Sequence, residues 1–419
     1  MIKSNIKHRI SFTSLFFLIC VLSRAQNTGM QFYHNESWKN ILEKAKASNK
    51  FIFVDCYATW CGPCKKMSSE VFPQKEVGDF YNAHYVSVKA QMDSSAKDNE
   101  DIRARYNDNH MLLTKYGVLA YPTYLVFNPE GELVQKFVGY LPAKEFIING
   151  EDALKPEKQY YTQLRRFERG DRSPAFLFDL AQMAHQAMDK KNGELVFDEY
   201  LKTNPDIYTK ENIRLILSYT KSTRDKGFVL MMEEPEKVDA VMGKNTSALF
   251  IVYLISKDEL KSSLFSKAPD SLATSPDWTL LRSGLEKKYP KYAQEVMASN
   301  KVNFYQYNKQ WIPYGPAISY YMQNYSDRPS YQQLNQYAWE VFENCAEPGL
   351  ITQALEWSKK SMVGNEDYAC IDTYAHLLMK TGKKPEAIEW ETKAVNMARE
   401  KNDPDFATYE NELKKMEAK

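Results

Sequence analysis

Two cysteines separated by two residues, Cys61 and Cys64, follow a short apolar segment and constrain this chain more than any other feature. The apolar segment, residues 51–54, has the length of a buried strand and ends in Asp55. Two thiols at this spacing, placed where a strand gives way to a helix, are typical of a redox-active dithiol. The sequence therefore predicts a strand, a turn and a helix that begins with the dithiol.

The position in the helix predicts a different role for each thiol. Unpaired backbone N–H groups and the positive end of the helix dipole stabilise a thiolate, so we expect the pKa of Cys61 to lie below about 8.5. Cys61 is therefore the predicted nucleophile. Cys64 lies one turn further along the same face, where it can attack a mixed disulfide and release the partner as the resolving thiol.

Half of a zinc site is the alternative explanation of the motif. Such a site needs a second pair of cysteine or histidine ligands at comparable spacing. The remaining cysteines form no second pair, and five of the histidines are scattered singly (Cys20, Cys56, Cys345, Cys370; His34, His84, His110, His185, His376). We therefore predict no metal and no cofactor other than the Cys61-Cys64 disulfide itself.

Three segments fall in the order and spacing of a thioredoxin domain: residues 51–66, 115–123 and 133–139. The chain resembles the thioredoxin superfamily, because the dithiol and the distant Tyr121-Pro122-Thr123 match together. The resemblance covers residues 36–151. It implies an α/β thioredoxin fold, in which helices flank a mixed central sheet, and a thiol-disulfide oxidoreductase activity.

The resemblance also implies roles for residues around the dithiol. Asp55 matches the family's buried acid, which takes the proton of Cys64 as it becomes an attacking thiolate; a solvated strand-end aspartate is the alternative. Lys89 matches the lysine near that acid, and an exposed strand lysine is its alternative. Pro122 matches the cis-proline that faces the dithiol.

Substrate contacts are implied for four further residues. Tyr121 would offer its backbone to an extended substrate segment. Trp60 would shield the dithiol and contact substrates, unless it serves packing alone. Gly62 and Pro63, between the thiols, place no histidine beside the nucleophile, and family members with this dipeptide are typically reductants.

Two features depart from the family pattern. Cys56 replaces a common aromatic residue beside Asp55, and strand alternation predicts that it points into the core as a buried hydrophobe. The segment 93–114 is longer and more polar than the usual connection, which suggests a remodelled surface beside the dithiol.

The first 25 residues predict export. Lys3, Lys7 and Arg9 precede an apolar run at 10–22, and Ser23-Arg24-Ala25 supplies small residues at the two cleavage-defining positions, as in a secretory signal peptide. The run is short for a membrane span, and an uncleaved anchor is the alternative. We expect a mature protein that is soluble in a bacterial periplasm, where disulfides persist.

Helical periodicity replaces strand patterns beyond residue 151. Ala354-Leu355-Glu356-Trp357 aligns with Ala387-Ile388-Glu389-Trp390 at an interval of 33 residues, close to the 34 of tetratricopeptide repeats. This resembles a pair of such repeats, although Glu391 stands where an aromatic residue is usual. The predicted division is a signal peptide (1–25), a thioredoxin-like domain (31–151), an α-helical repeat-like domain (152–328) and tetratricopeptide-like repeats (329–419).

Aromatic residues are dense between Phe304 and Trp339. They either line a concave surface for a peptide or partner protein or pack between helices (Tyr305, Tyr307, Trp311, Tyr314, Tyr320, Tyr321, Tyr325, Tyr331, Tyr337). Packing is the simpler interpretation.

Two functions fit the whole chain. The first is an exported reductant or isomerase of protein disulfides, which acts on disulfide-containing client proteins and draws electrons from a membrane or periplasmic thiol donor. The second is an envelope scaffold whose repeats bind a partner and whose thioredoxin domain is a redox-sensitive accessory. The formal net charge of +1 gives no reason to expect nucleic-acid binding.

Overall fold

The computed structural model describes residues 29–34, 36–203, 205–265, 276–365, 367–404 and 406–418. The predicted signal peptide lies outside these residues. The chain divides into two compact units, Met1–Pro205 and Asp206–Lys419. Among the described residues, no helix combines the length and apolar character that a membrane span requires.

A four-stranded sheet organises the first unit, in the order β2-β1-β3-β4. Strand β1 pairs in parallel with β2 and antiparallel with β3, and β3 pairs antiparallel with β4. The elements run α1 (Trp38–Ser48), β1 (Phe51–Tyr57), α2 (Gly62–Lys66), α3 (Lys75–His84), β2 (Tyr85–Gln91), α4 (Glu100–Ala104), α5 (Tyr106–Tyr116), β3 (Thr123–Phe127), β4 (Leu133–Val138) and α6 (Ala143–Ala153). This mixed sheet flanked by helices confirms the predicted α/β fold.

Strand alternation divides the core into two layers on opposite faces of the sheet. Phe53 packs among the aromatic rings of one layer, whereas Val54 and Cys56 join the aliphatic layer on the other face. Cys56 is a fully buried free thiol, in the place that the alternation predicts. Asp55 lies between Val54 and Cys56 in the strand, and therefore points toward the aromatic face.

Three further helices belong to the same compact unit, namely α7 (Tyr160–Glu168), α8 (Pro174–Gln186) and α9 (Lys190–Lys202). Helix α7 packs on β4. Tyr160 is fully buried, its backbone N–H donates to Oε1 of Gln135 in β4 over 3.2 Å, and its hydroxyl donates to Asp189 over 2.9 Å. The unit thus continues through a helical layer beyond the thioredoxin-like segment.

The second unit is entirely helical in its described residues. Its helices are α10 (Lys210–Tyr219), α11 (Lys226–Glu233), α12 (Pro235–Met242), α13 (Thr246–Ile255), α14 (Lys261–Phe265), α15 (Trp278–Lys288), α16 (Ala293–Tyr307), α17 (Trp311–Tyr325), α18 (Tyr331–Asn344), α19 (Pro348–Ser361), α20 (Tyr368–Lys380), α21 (Lys384–Glu400) and α22 (Phe406–Ala418). This finding confirms the prediction of a helix-rich region after the α/β fold.

A regular spacing relates the last seven helices. Helices α16, α18, α20 and α22 begin at residues 293, 331, 368 and 406, which are 38, 37 and 38 residues apart. Side-chain hydrogen bonds join residues 34 apart in neighbouring pairs, from Gln306 to Glu340 and from Ser319 to Gln353. Helices α19 and α21 begin 36 residues apart, at 348 and 384. Residues matched at the 33-residue interval therefore lie three residues apart when each is counted from the start of its own helix.

The aromatic residues of this region divide between the core and an open groove. Tyr314, Tyr321 and Tyr337 are buried in the core that α16–α22 share. Trp311, by contrast, lines an open groove of about 640 Å³ together with residues of α17, the turn after α18, and α19.

Truncation tests where the first folding unit ends. Beginning at residue 26, a chain ending at Pro205 should unfold cooperatively, whereas one ending at Ala153 should lose roughly 3 kcal/mol or more, because it lacks the buried Tyr160 side chain. Urea unfolding followed by circular dichroism measures the difference. Tyr160→Phe in the longer chain is the control and should cost only about 1 kcal/mol, the hydroxyl's hydrogen bond to Asp189. Equal stability of both chains would support the expected boundary at residue 151.

Candidate active site

The dithiol lies where β1 gives way to α2. Cys61 and Cys64 form a disulfide with their Cα atoms 5.3 Å apart. Cys61 is the N-cap of α2, and its Sγ accepts a hydrogen bond of 3.1 Å from the backbone N–H of Cys64. Pro63 occupies the first turn, where its missing N–H costs nothing. The sulfur predicted to be the nucleophile therefore sits at the positive end of a helix.

Both sulfurs are largely covered, but the residue before them is not. Cys61 and Cys64 are 3% and 5% exposed, in a small cluster with Ala58 against which Tyr121 packs, whereas Trp60 is 71% exposed. The Trp60 ring meets the Tyr121 ring edge-on, with centroids 5.8 Å apart. Trp60 thus presents an aromatic surface to solvent beside the disulfide, which fits a substrate-contacting residue better than core packing.

The loop before β3 supplies the third part of the site. The Tyr121-Pro122 peptide bond is cis, the geometry that the resemblance implies. The Pro122 carbonyl accepts a hydrogen bond of 2.8 Å from the N–H of Gly139, beyond β4. This contact fixes the loop to the sheet, so that Tyr121 reaches both the thiol cluster and Trp60.

Asp55 carries the site's buried charge. Its side chain is 3% exposed, and its Oδ1 accepts no hydrogen bond from any part of the chain that the structure describes. Burial raises the pKa of Asp55 from 3.8 to about 6, while the ammonium of Lys89 opposes the rise. Near neutral pH this carboxyl group can therefore both accept and return a proton.

Lys89 is the positive partner of that acid. Parallel pairing places Lys89 of β2 directly opposite Asp55 of β1, and its Nζ lies 3.8 Å from Oδ2. The same Nζ donates to the Ser68 hydroxyl over 2.7 Å and lies 5.1 Å from the ring centroids of Phe32 and Phe72. Lys89 is therefore partly enclosed, and its charge lowers the pKa of Asp55.

Asp93 is a further residue of the site that no sequence motif marks. Its Oδ1 accepts the backbone N–H of Thr59 over 3.0 Å, and its other oxygen accepts the Thr59 hydroxyl, so it holds the turn that carries Trp60. The sequence did contain a signal, because Asp93 follows β2 just as Thr59 follows β1. The carboxyl ends of neighbouring parallel strands meet at one edge of a sheet.

The polar segment after Asp93 forms helices α4 and α5, and a hydrogen-bonded network ties it to the sheet. Asp98 accepts from Gln91 of β2, from the Ser95 N–H and from the Tyr106 hydroxyl. The amide of Asn109 donates to the Gln91 carbonyl over 3.0 Å. The insertion is thus an ordered part of the surface beside the dithiol strand.

Comparison with known proteins places this site in a family. A thioredoxin-like domain model matches residues 38–153. A thioredoxin from Mycoplasma genitalium is 32% identical over 106 residues, which are 25% of this chain and 85% of that protein. The chain belongs to the thioredoxin family. This membership confirms the prediction of a thiol-disulfide oxidoreductase domain.

Other relatives match a similar share of the chain. Thioredoxin-2 of Pyricularia oryzae is 33% identical over 111 residues, which are 26% of this chain and 54% of that protein. The chain spans about half the length of this protein and of several other curated thioredoxins that it matches. The oxidised C-terminal domain of DsbD from Neisseria meningitidis overlaps 27% of this chain and 90% of its own, at 22% identity and a TM-score of 0.22.

Replacing the buried acid should change stability in a pH-dependent way. The pKa of Asp55 is higher in the folded chain, so burial of its charge destabilises the protein above about pH 6 and has no effect below about pH 4. Asp55→Asn should therefore raise the free energy of unfolding at pH 7.5 by about 3 kcal/mol, with the gain disappearing between pH 6 and pH 4. Urea unfolding of the oxidised protein across this range measures it.

Asp79→Asn is the matched control. Asp79 is an exposed acid paired with Lys75, so its removal should change stability by less than about 0.5 kcal/mol at any pH. The Asp55→Asn protein should also resolve mixed disulfides about 100-fold more slowly, which stopped-flow mixing measures. A stability gain that does not vary with pH would show that Asp55 keeps an ordinary pKa.

Proposed function

We propose that this protein is an exported reductant or isomerase of protein disulfides that attacks through Cys61 and resolves through Cys64. The observation that carries the proposal is the buried carboxyl group of Asp55, whose pKa is raised to about 6 and whose Oδ1 is left without a hydrogen bond. A proton acceptor beside a dithiol serves thiol exchange. A redox-sensitive scaffold would have no use for it.

The proposed reaction proceeds in two displacements. The Cys61 thiolate attacks one sulfur of a client disulfide, the client's other sulfur leaves as a thiolate, and a mixed disulfide forms. Cys64 then loses its proton to Asp55 and attacks the Cys61 sulfur, so that the remaining client sulfur leaves. Asp55 returns its proton to one departing client thiolate and solvent protonates the other, so the client gains two electrons and two protons and the enzyme ends as the Cys61-Cys64 disulfide.

Lys89 and the loop residues complete the proposed site. Lys89 favours the ionised form of Asp55 and thereby keeps it able to accept a proton. Trp60, Gly62 and Pro63 border the Cys61 sulfur on one side. The backbone at Tyr121 and Pro122 pairs with an extended client segment.

The proposed compartment and partners rest on other parts of the chain. The sequence at 1–25 supports export, and an oxidising compartment requires a thiol donor that keeps the dithiol reduced. The groove of about 640 Å³ beside Trp311, together with the regular helix pairs, supports tetratricopeptide-like binding of a client peptide by the second unit.

Substitution of each thiol tests the proposed order of attack. Cys64→Ser leaves Cys61 able to attack but unable to let go, so mixed disulfides with clients should accumulate on non-reducing gels and disappear with dithiothreitol. Cys61→Ser should trap far less. Cys370→Ser, which removes a buried free thiol of the helical unit outside the groove, is the control and should behave as wild type. Trapping by Cys61→Ser alone would reverse the two roles.

The reduction potential tests the proposed direction of electron flow. Gly62 and Pro63 place no charge beside Cys61, so its thiolate is only moderately stabilised and the disulfide is hard to reduce. We expect a potential near that of thioredoxin, about −270 mV, as measured by equilibration with glutathione or dithiothreitol buffers. A value above about −150 mV would identify an oxidant instead.

A further inference from the structure

Three successive helices bring ionisable side chains together inside the second unit. Asp372 and His376 lie one turn apart on α20, and Glu391 lies on α21. One potential ligand atom from each of the three lies within 4.8 Å of the other two. Glu412, on α22, faces the same histidine.

Glu391 makes this cluster different from an ordinary group of polar residues. It is fully buried, and neither carboxylate oxygen accepts a hydrogen bond from any of the described residues. Asp372 faces it as a second acceptor. Because two carboxylates cannot hydrogen-bond to each other without a donor, this pair requires either a shared proton or a bound cation between them.

The equivalent position in the preceding helix pair is uncharged. At the 33-residue interval of the sequence Glu391 corresponds to Ser358, which is also fully buried. A small neutral side chain therefore suffices at this level of the stack. The carboxylate has to be explained by something that it binds.

His376 is oriented as a metal-binding imidazole would be. Its Nδ1 lies 3.4 Å from Oδ1 of Asp372, and its Nε2 lies 3.5 Å from Oε2 of Glu412. The rings of Trp339 and Phe342 hold the imidazole edge-on, with centroids 5.4 and 5.2 Å away. A carboxylate on the nitrogen that does not bind the ion fixes the ring and raises its basicity.

We propose that Asp372, His376 and Glu391 bind one divalent first-row transition-metal ion, with Glu412 orienting the imidazole. Mixed carboxylate and imidazole ligands suit Zn²⁺ and its neighbours, whereas Mg²⁺ and Ca²⁺ prefer oxygen alone. Ligand atoms around a tetrahedral zinc ion lie about 3.4 Å apart, so the three side chains need to close by no more than about 1.5 Å.

Binding the ion involves two local exchanges. Nδ1 of His376 also lies 2.9 Å from the Asp372 backbone carbonyl, and the ion takes the place of that contact. The proton that the two carboxyl groups would otherwise share is released to solvent. The ion then links α20 to α21 directly and to α22 through Glu412.

Zinc titration of the full-length protein tests the proposal, with the dithiol oxidised so that it cannot bind metal. Calorimetry should show one Zn²⁺ per chain, and the melting temperature should rise with Zn²⁺ but much less with Ca²⁺. Glu391→Gln should weaken binding by more than about 100-fold, and Glu412→Gln by about 10- to 100-fold. Glu410→Gln, which changes a half-buried acid of the same helix that pairs with Lys414, should bind as wild type does.

The melting temperature of Glu391→Gln without zinc distinguishes a loss of zinc binding from a loss of folding. Glutamine at 391 can donate its amide hydrogen to Asp372, so Glu391→Gln should melt at or above the wild-type temperature without metal. Two results would overturn the proposal: a wild-type protein that neither binds nor is stabilised by Zn²⁺, which leaves only a shared proton, or Glu391→Gln binding Zn²⁺ as tightly as wild type, which places the ion elsewhere.

Discussion

The opposition between the Asp55 carboxylate and the Lys89 ammonium is the interaction on which the proposed reaction of this protein depends. Parallel pairing of β1 with β2 puts the two residues opposite each other; Asp55 is buried, whereas the Lys89 side chain is 26% exposed. Desolvation raises the pKa of Asp55, and the charge of Lys89 lowers it. The balance leaves a carboxyl group that changes state close to neutral pH.

That balance explains why the site combines a covered dithiol with an exposed tryptophan. The acid works only in a dry environment, so the sulfurs and Asp55 must be buried. In the proposed reaction a client must nevertheless reach Cys61. The chain meets both demands at one strand-to-helix turn, which Asp93 holds from the neighbouring strand through Thr59.

Much of the first unit could be predicted from the sequence, because strand alternation and the spacing of a few residues dictate it. The apolar run before Asp55 fixes which side chains face which layer, and so Cys56 lies in the core as expected. Asp93 was missed because its partner is distant in sequence and the contact exists only once β1 and β2 pair. The helices after residue 151 were predicted, but not their packing on β4, because helical periodicity does not reveal which surface a helix covers.

The helical character of the second unit was predictable from the sequence, but the spacing of its helices was not. Similar residues recur at 33, yet the helices recur at 36 to 38, since a match of short apolar motifs tolerates a shift along the same helical face. Glu391 was visible as a deviation from the repeat pattern. Only the fold shows that it meets Asp372 and His376, which α20 carries one turn apart.

The buried thiol beside the acid has a consequence for how the chain matures. Cys56 is five residues from Cys61, and in the folded unit burial raises its pKa and keeps it out of thiol exchange. In an unfolded chain both thiols are equally available to an oxidant. A protein that emerges into an oxidising compartment must therefore close the aliphatic layer over β1 before its cysteines are oxidised, or it traps the nucleophile in a bridge to its own core. The order of burial and oxidation thus decides whether a newly made molecule becomes active.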